Sequence, residues 1–138
     1  AVAFVSEIFT KLHGGEIFVP KIPSFRLIDL VQAVAPNLSH TISGIRPGEK
    51  IHELMTSADD ARHTVELSSS YVILPELNLD ERVPKHRLWQ QEGGSPVASN
   101  FVYASDTNQD WLSIPQIRTF IEKTATKPKG NTLQSIDL

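Results

Sequence analysis

Residues 45–53 have the sequence Ile-Arg-Pro-Gly-Glu-Lys-Ile-His-Glu, and the predicted fold on either side depends on this stretch. An apolar, β-rich run at 41–45 leads into it and predicts a strand. After it, Ile51, Leu54 and Met55 have the spacing of one face of a short helix. The stretch therefore predicts a sharp corner between a strand and a helix.

The corner carries opposite charges on a proline–glycine turn. Pro47 restricts its own φ, and Gly48 lets the backbone turn without a Cβ in the way. Arg46 and Glu49 then project from one turn, and a guanidinium beside a carboxylate suits a ligand with phosphate next to a sugar diol. Lys50 adds positive charge that attracts phosphate. The alternative from these residues alone is a surface turn with an Arg–Glu ion pair and a solvated lysine.

Composition limits the classes of protein to consider. The 138 residues are 40% hydrophobic, which suits one domain or part of a larger one. No apolar run reaches the roughly 18 residues of a membrane span, and the first residues lack a signal-peptide pattern. We therefore expect a soluble, cytoplasmic chain with no membrane partner. A net charge of −3 without a basic stripe argues against nucleic acid as a partner.

The first 35 residues contain patterns typical of two helices with a strand between them. We predict a helix over 1–12, a strand over 16–19 and a helix over 25–35. Gly14 and Gly15 would end the first helix, Pro20 would stop the strand, and Ser24 would cap the second helix.

The second half of the chain predicts a hairpin and a final helix. The hairpin is predicted from β-leaning runs at 63–67 and 71–74, which three serines separate. Residues 80–100 are charged or rich in small polar residues, which predicts a mobile surface excursion, and 101–103 are extended. A capping box at 113–116 begins the helix. We expect its stripe to face inward and the chain after Lys123 to fray; the stripe consists of Ile117, Phe120 and Ile121.

The patterns of a reaction centre are absent from the sequence. It contains no Gly-x-Gly-x-x-Gly and no Walker loop. It also lacks Tyr-x-x-x-Lys, because Pro75 follows Tyr71 at that spacing and Thr107 follows Tyr103. There is no cysteine, and the five histidines lack metal-ligand spacing. We therefore expect no metal site, no cofactor-binding residue and no catalytic residue in these 138 residues.

Several ordered motifs resemble one family of sugar-modifying enzymes. Residues 14–24 (GGEIFVPKIPS) and 44–53 (GIRPGEKIHE) resemble the inverting UDP-N-acetylglucosamine 4,6-dehydratases, which are extended short-chain dehydrogenases/reductases. Residues 101–108 (FVYASDTN) with 111–113 (WLS) resemble the C-terminal end of the same family. The resemblance covers roughly residues 1–122.

The resemblance implies an α/β fold, specifically the C-terminal portion of an extended, Rossmann-type enzyme. Residues 1–19 would then be the last helix and strand at the edge of a missing parallel sheet. Residues 20–123 would form a small α+β lobe that binds the UDP-sugar, and 124–138 a flexible tail. The NADP loop and the catalytic Tyr and Lys of the family lie in an N-terminal Rossmann half, so this chain alone would be inactive. Its partner would be that half or copies of itself.

The resemblance also implies a reaction and roles for the residues of the corner. The family oxidises C4 of the sugar with bound NADP, eliminates water across C5 and C6, and returns the hydride to C6 with inversion at C5. This lyase reaction yields a 4-keto-6-deoxy sugar for pseudaminic acid, a bacterial surface glycan. By position in the motif, Arg46 would contact the UDP diphosphate and Glu49 the ribose hydroxyls, with Lys50 beside them.

A second hypothesis belongs to a different class of protein. The chain would be a self-standing, non-catalytic interaction module that docks a partner through its first helix. The docking face would consist of four apolar residues at helical spacing, Val2, Val5, Phe9 and Leu12.

Overall fold

The structure, a computed structural model, describes residues 2–75 and 89–125, and side chains as far as residue 124. The described chain contains both helices and antiparallel strands. The elements are helices α1 (Val2–Phe9), α2 (Leu27–Val34) and α3 (Ile114–Ala125), a 3-10 helix (Ala61–His63), and strands β1 (Ile17–Pro20), β2 (Leu54–Thr56), β3 (Thr64–Glu66), β4 (Ser70–Ile73), β5 (Ser95–Pro96) and β6 (Tyr103–Ala104). This mixed α/β architecture confirms the predicted fold class.

The main sheet has four antiparallel strands in the order β1-β4-β3-β5. The β3–β4 hairpin pairs Val65 with Val72, and its turn is closed by the Leu67 N–H, which donates to the Ser70 carbonyl at 2.8 Å. Strand β1 pairs with the other edge of β4, with Phe18 opposite Val72. A second, two-stranded sheet joins β2 to β6 through an irregular register.

The core of the main sheet is a small apolar cluster. Val72, Val65 and Trp89 are at most 3% exposed, and the Phe18 ring lies 5.2 Å from the Trp89 ring in an edge-on contact. Alternate residues of a strand point to one face, which is why Val72 is buried while Tyr71 and Ile73 beside it are half-buried. Full burial of each such apolar side chain contributes about 1.5–3 kcal/mol.

The chain divides into two compact units, Ala1–Pro23 with Ile45–Asp110 and Ser24–Gly44 with Trp111–Leu138. Both sheets belong to the first unit. In the second unit α2 packs on α3, and Ile117 is 3% exposed. The Arg118 guanidinium donates to the carbonyls of Gln32 and Ala33, at 3.2 and 3.3 Å, so it satisfies acceptors at the end of α2.

Several local predictions are confirmed. The predicted hairpin is β3–β4. Gly14 and Gly15 follow α1 with positive φ angles of 112° and 83°. At the start of α3, the Ser113 N–H donates to the Gln116 side chain at 2.8 Å, as the capping box requires.

The predictions on both sides of the arginine corner are wrong. Residues 41–45 form no strand, and they are exposed to solvent. Instead of a short helix, Leu54 and Met55 belong to strand β2, since the backbone there finds a partner in β6. Pairing with a distant strand has overridden the helical spacing of the sequence.

The predicted start of α2 and the predicted face of α3 also need correction. Ser24 is not the cap of α2, because the helix begins at Leu27 and Arg26 precedes it; the Ser24 carbonyl instead accepts from the Leu112 N–H at 2.8 Å. Of the predicted stripe on α3, Ile117 is buried, whereas Phe120 and Ile121 are 64% and 37% exposed.

The structure describes only part of the predicted surface excursion, and it does not test the predicted domain boundaries. Within the excursion, Ser95–Pro96 adds a strand to the main sheet, so that part is anchored. The part of it at 80–88, and the predicted tail beyond 125, lie outside the described residues. Strand β1 pairs antiparallel with β4 of the same chain. The assignment of 1–19 to another domain's sheet, with lobe and tail boundaries at 20–123 and 124–138, stays a prediction.

Candidate functional site

The corner at residues 46–49 is a closed turn. The Glu49 N–H donates to the Arg46 carbonyl at 3.0 Å, which is the hydrogen bond of a four-residue β-turn. Gly48 has φ 81°, the conformation that a type II turn needs at its third position, and Pro47 supplies the restricted φ of the second. The Pro-Gly pair therefore sets the direction in which the flanking charged side chains leave the backbone.

The Glu49 carboxylate helps to close this turn. Its Oε2 accepts from the Arg46 backbone N–H at 2.9 Å. Among the described residues the Arg46 guanidinium has neither a hydrogen-bond nor an ion-pair partner. The predicted alternative, an ion pair between the two side chains, is therefore not present. The guanidinium keeps its donors for other groups, and Glu49 keeps its Oε1 as an acceptor.

The turn lies in a long exposed segment. Every residue from 36 to 55 is exposed, including Arg46, Glu49 and Lys50. The apolar residues that flank the turn are exposed as well, with Ile45 62% and Ile51 72% accessible. The structure thus places Arg46 and Glu49 on one solvent-facing turn, with Lys50 exposed directly after it. Chemically, the turn offers donors for an anion and one carboxylate oxygen for a hydroxyl.

The end of this segment is tied to the strand β6. The Ser105 N–H donates to the Glu53 carbonyl at 2.9 Å, and the Glu53 N–H donates to Ser105 Oγ at 3.0 Å. These two bonds continue the β2–β6 ladder by one residue toward the turn. No role for Ser105 was predicted from the sequence, because it lies 52 residues from Glu53 and only the motif at 101–108 includes it.

The loop after β1 is held by the same stretch of chain. The Tyr103 hydroxyl accepts from the Ile22 N–H at 2.8 Å and donates to the Ile22 carbonyl at 2.9 Å. Asn108 Nδ2 donates to that carbonyl at 2.8 Å. Beside the loop, Lys21 forms an ion pair of 2.7 Å with Glu66, so its ammonium is engaged structurally. Spacing along the sequence could not reveal these contacts.

Other titratable groups have structural explanations. Two donors from Ser57, first its hydroxyl and then its backbone N–H, hold the pKa of Asp60 below its ordinary value. Burial, followed by the charge of Glu66, raises the pKa of Tyr71. Within residues 2–75 and 89–125, no cluster of three or more acidic or histidine side chains could hold a metal ion. In the same ranges no helix has the length and apolarity that crossing a bilayer requires.

Comparison with known proteins gives matches over most of the chain. Residues 1–75 match the model of the family described as polysaccharide biosynthesis protein. Two inverting UDP-N-acetylglucosamine 4,6-dehydratases of Campylobacter jejuni subsp. jejuni, from strains 81-176 and NCTC 11168, are each 44% identical over 124 residues. The match covers 89% of this chain, and the chain spans 37% of the length of these relatives.

A solved structure shares the fold. Pen from Bacillus thuringiensis superposes with a TM-score of 0.68 at 23% identity, over 88% of this chain and 36% of that protein. The family match covers more than half of the chain and includes the turn at 46–49. The chain therefore belongs to the polysaccharide biosynthesis protein family.

Proposed function

We propose that this chain is the nucleotide-sugar-binding part of a dehydratase that acts on UDP-N-acetylglucosamine with inversion at C5. The observation that carries the proposal is the turn at 46–49, which exposes an arginine whose guanidinium has no partner among the residues that the structure describes. The two Campylobacter dehydratases, similar over 89% of the chain, supply the class of substrate.

The two charged residues of the turn and Lys50 directly after it receive different roles in this proposal. Arg46 binds the diphosphate, because a guanidinium forms paired, charge-assisted hydrogen bonds with phosphate oxygens. Glu49 accepts from a ribose hydroxyl through Oε1, since Oε2 already accepts from the Arg46 N–H. Lys50 adds long-range attraction for the anion. Binding of the nucleotide handle then orients the sugar for reaction elsewhere.

The reaction itself would need groups that this chain does not supply. The sequence contains neither a glycine-rich dinucleotide loop nor Tyr-x-x-x-Lys, so its residues do not fit an NADP site. We propose that NADP and the catalytic residues belong to a Rossmann half like the part of the relatives that this chain does not match. The product would be a 4-keto-6-deoxy UDP-sugar for a bacterial surface glycan such as pseudaminic acid.

The test is UDP binding by the full natural polypeptide that carries this chain, measured by calorimetry. Arg46→Ala should weaken UDP binding by roughly 10- to 100-fold, because a charge-assisted contact contributes on the order of 1.5–3 kcal/mol. Glu49→Gln keeps the shape of the side chain and should weaken UDP binding by a smaller factor. Arg26→Ala is the matched control, since it removes an exposed arginine outside the turn. An unchanged UDP affinity for Arg46→Ala would refute this site.

A second candidate function, the non-catalytic docking module, is favoured by the exposure of α1. None of its residues is buried, and the predicted docking residues Val2, Phe9 and Leu12 are 81%, 76% and 43% exposed. Sedimentation of the 138-residue chain separates the two candidates. A monodisperse monomer that melts cooperatively favours the module, whereas self-association or insolubility favours part of a larger enzyme.

A further inference from the structure

The candidate binding turn is poorly connected to the remainder of the chain. From 39 to 52, the hydrogen bonds in the described structure are those inside the turn, between Arg46 and Glu49. Strand β2 begins at Leu54 and is paired with β6. After the turn, Glu53 is therefore the first residue held by another part of the polypeptide, through Ser105.

Ser105 is itself fixed from two directions. Through Ala104 it continues β6, which is paired with Leu54 of β2. On its other side the chain turns back, because the Asn108 N–H donates to the Ala104 carbonyl at 3.1 Å. The Asn108 side chain in turn donates to Ile22. Ser105 is thus held by the backbone on both sides, and its hydroxyl accepts from the first anchored residue after the turn, Glu53.

We propose that Ser105 is a positioning residue for nucleotide-sugar binding, acting through Glu53 on the turn that carries Arg46 and Glu49. The inference rests on the proposed function of that turn. A ligand that binds a loosely held turn must also order it, so each anchor present beforehand reduces the cost of binding. The Glu53 N–H bond to Ser105 Oγ is the side-chain part of that anchor, and substitution can remove it while the backbone ladder remains.

The experiment compares Ser105→Val with Ser105→Thr, two variants of nearly equal shape that differ in the hydroxyl. UDP affinity is measured by calorimetry on the full natural polypeptide. Ser105→Val should bind UDP about 3- to 10-fold more weakly, the loss expected when one exposed hydrogen bond that holds the turn is removed. Ser105→Thr should restore affinity to within about 2-fold of the unsubstituted protein. Thr107→Ala is the control, because its hydroxyl lies in the same chain turn but points to Ala104.

A double-mutant cycle distinguishes positioning from general destabilisation. If Ser105 acts through the turn, Ser105→Val should change UDP affinity little once Arg46→Ala and Glu49→Gln are present. If it only lowers fold stability, the melting temperature falls but the affinity of the folded protein does not. That result, or equal affinities for Ser105→Val and Ser105→Thr, would overturn the positioning role.

The outcomes also separate this inference from the function on which it rests. Weaker UDP binding by Arg46→Ala together with unchanged binding by Ser105→Val refutes the positioning role and keeps the proposed function. Unchanged UDP binding by Arg46→Ala refutes the turn as the nucleotide site, and the role of Ser105 then fails with it.

Discussion

The Tyr103 hydroxyl should be one of the most important single polar groups for the stability of the first unit. The side chain is 7% exposed, and its hydroxyl both accepts from and donates to the backbone of Ile22, 81 residues away. Tyr103→Phe keeps the ring and removes both hydrogen bonds. The Ile22 carbonyl keeps a donor in Asn108, but its N–H is left without an acceptor in the described structure.

The expected loss follows from these two bonds. Each intact hydrogen bond stabilises the folded state by a net of about 0.5–1.5 kcal/mol, and a part-buried donor left without a partner adds a desolvation cost. We therefore expect Tyr103→Phe to lower the free energy of unfolding by about 1–3 kcal/mol. With a urea m-value of roughly 2 kcal/mol per molar, the unfolding midpoint should fall by about 0.5–1.5 M. The ring contact with Tyr71, at 5.0 Å between centroids, should survive the substitution.

Tryptophan fluorescence in urea can report on this unit alone. The sequence has two tryptophans, so a Trp111→Phe background leaves Trp89, in the core of the main sheet, as the single reporter. Tyr71→Phe in that background is the matched control, because its hydroxyl has no hydrogen-bond partner among the described residues. The reasoning is refuted if Tyr103→Phe lowers the urea midpoint no more than Tyr71→Phe does.

Two further substitutions test the packing and the electrostatics of the same unit. A Cβ at position 94 would lie 2.7 Å from the backbone oxygen of Trp89. Gly94→Ala should therefore lower the free energy of unfolding in urea by about 1–3 kcal/mol. Ser95→Ala, at the exposed neighbouring position, is the control and should leave that free energy nearly unchanged. Asp60 has a pKa lowered by its bonds from Ser57, so its stabilisation is present above the unfolded value of about 3.9 and is lost as pH falls through the folded pKa. Asp60→Asn should therefore destabilise at pH 7, and thermal melts in which this deficit does not begin to shrink as the pH falls below about 3.9 would contradict the reasoning.

The parts of the fold that the sequence predicted correctly are those with local causes. The β3–β4 hairpin follows from two short β-branched runs around a serine turn, and every bond that closes it lies within a dozen residues. The cap at Ser113 needs only Gln116 three residues later. The turn at 46–49 is set by Pro47 and Gly48 and closed by bonds between Arg46 and Glu49, all within four residues.

The failures occur where a distant partner decides the conformation. The run at 41–45 has β propensity but no strand beside it in the described structure, and a strand without a partner leaves its backbone bonds to water. The opposite happened at Leu54–Thr56, where pairing with Tyr103–Ala104 converted a helical pattern into a strand. Neither outcome can be read from propensity, because a strand needs a partner: the run at 41–45 has none among the described residues, and the partner of Leu54–Thr56 lies some 50 residues away.

The charged residues of the candidate site could be identified from the sequence, but the residues that hold its turn in place could not. Arg46 and Glu49 could be found because their chemistry is adjacent in sequence. Their support comes from the residues at 103–108, which bind Glu53 on one side and Ile22 on the other. Those contacts give a physical reason why the three motifs at 14–24, 44–53 and 101–108 occur together in one chain. The third motif ties the loops of the first two into a single unit, so a change in it should alter binding at a turn that it does not touch.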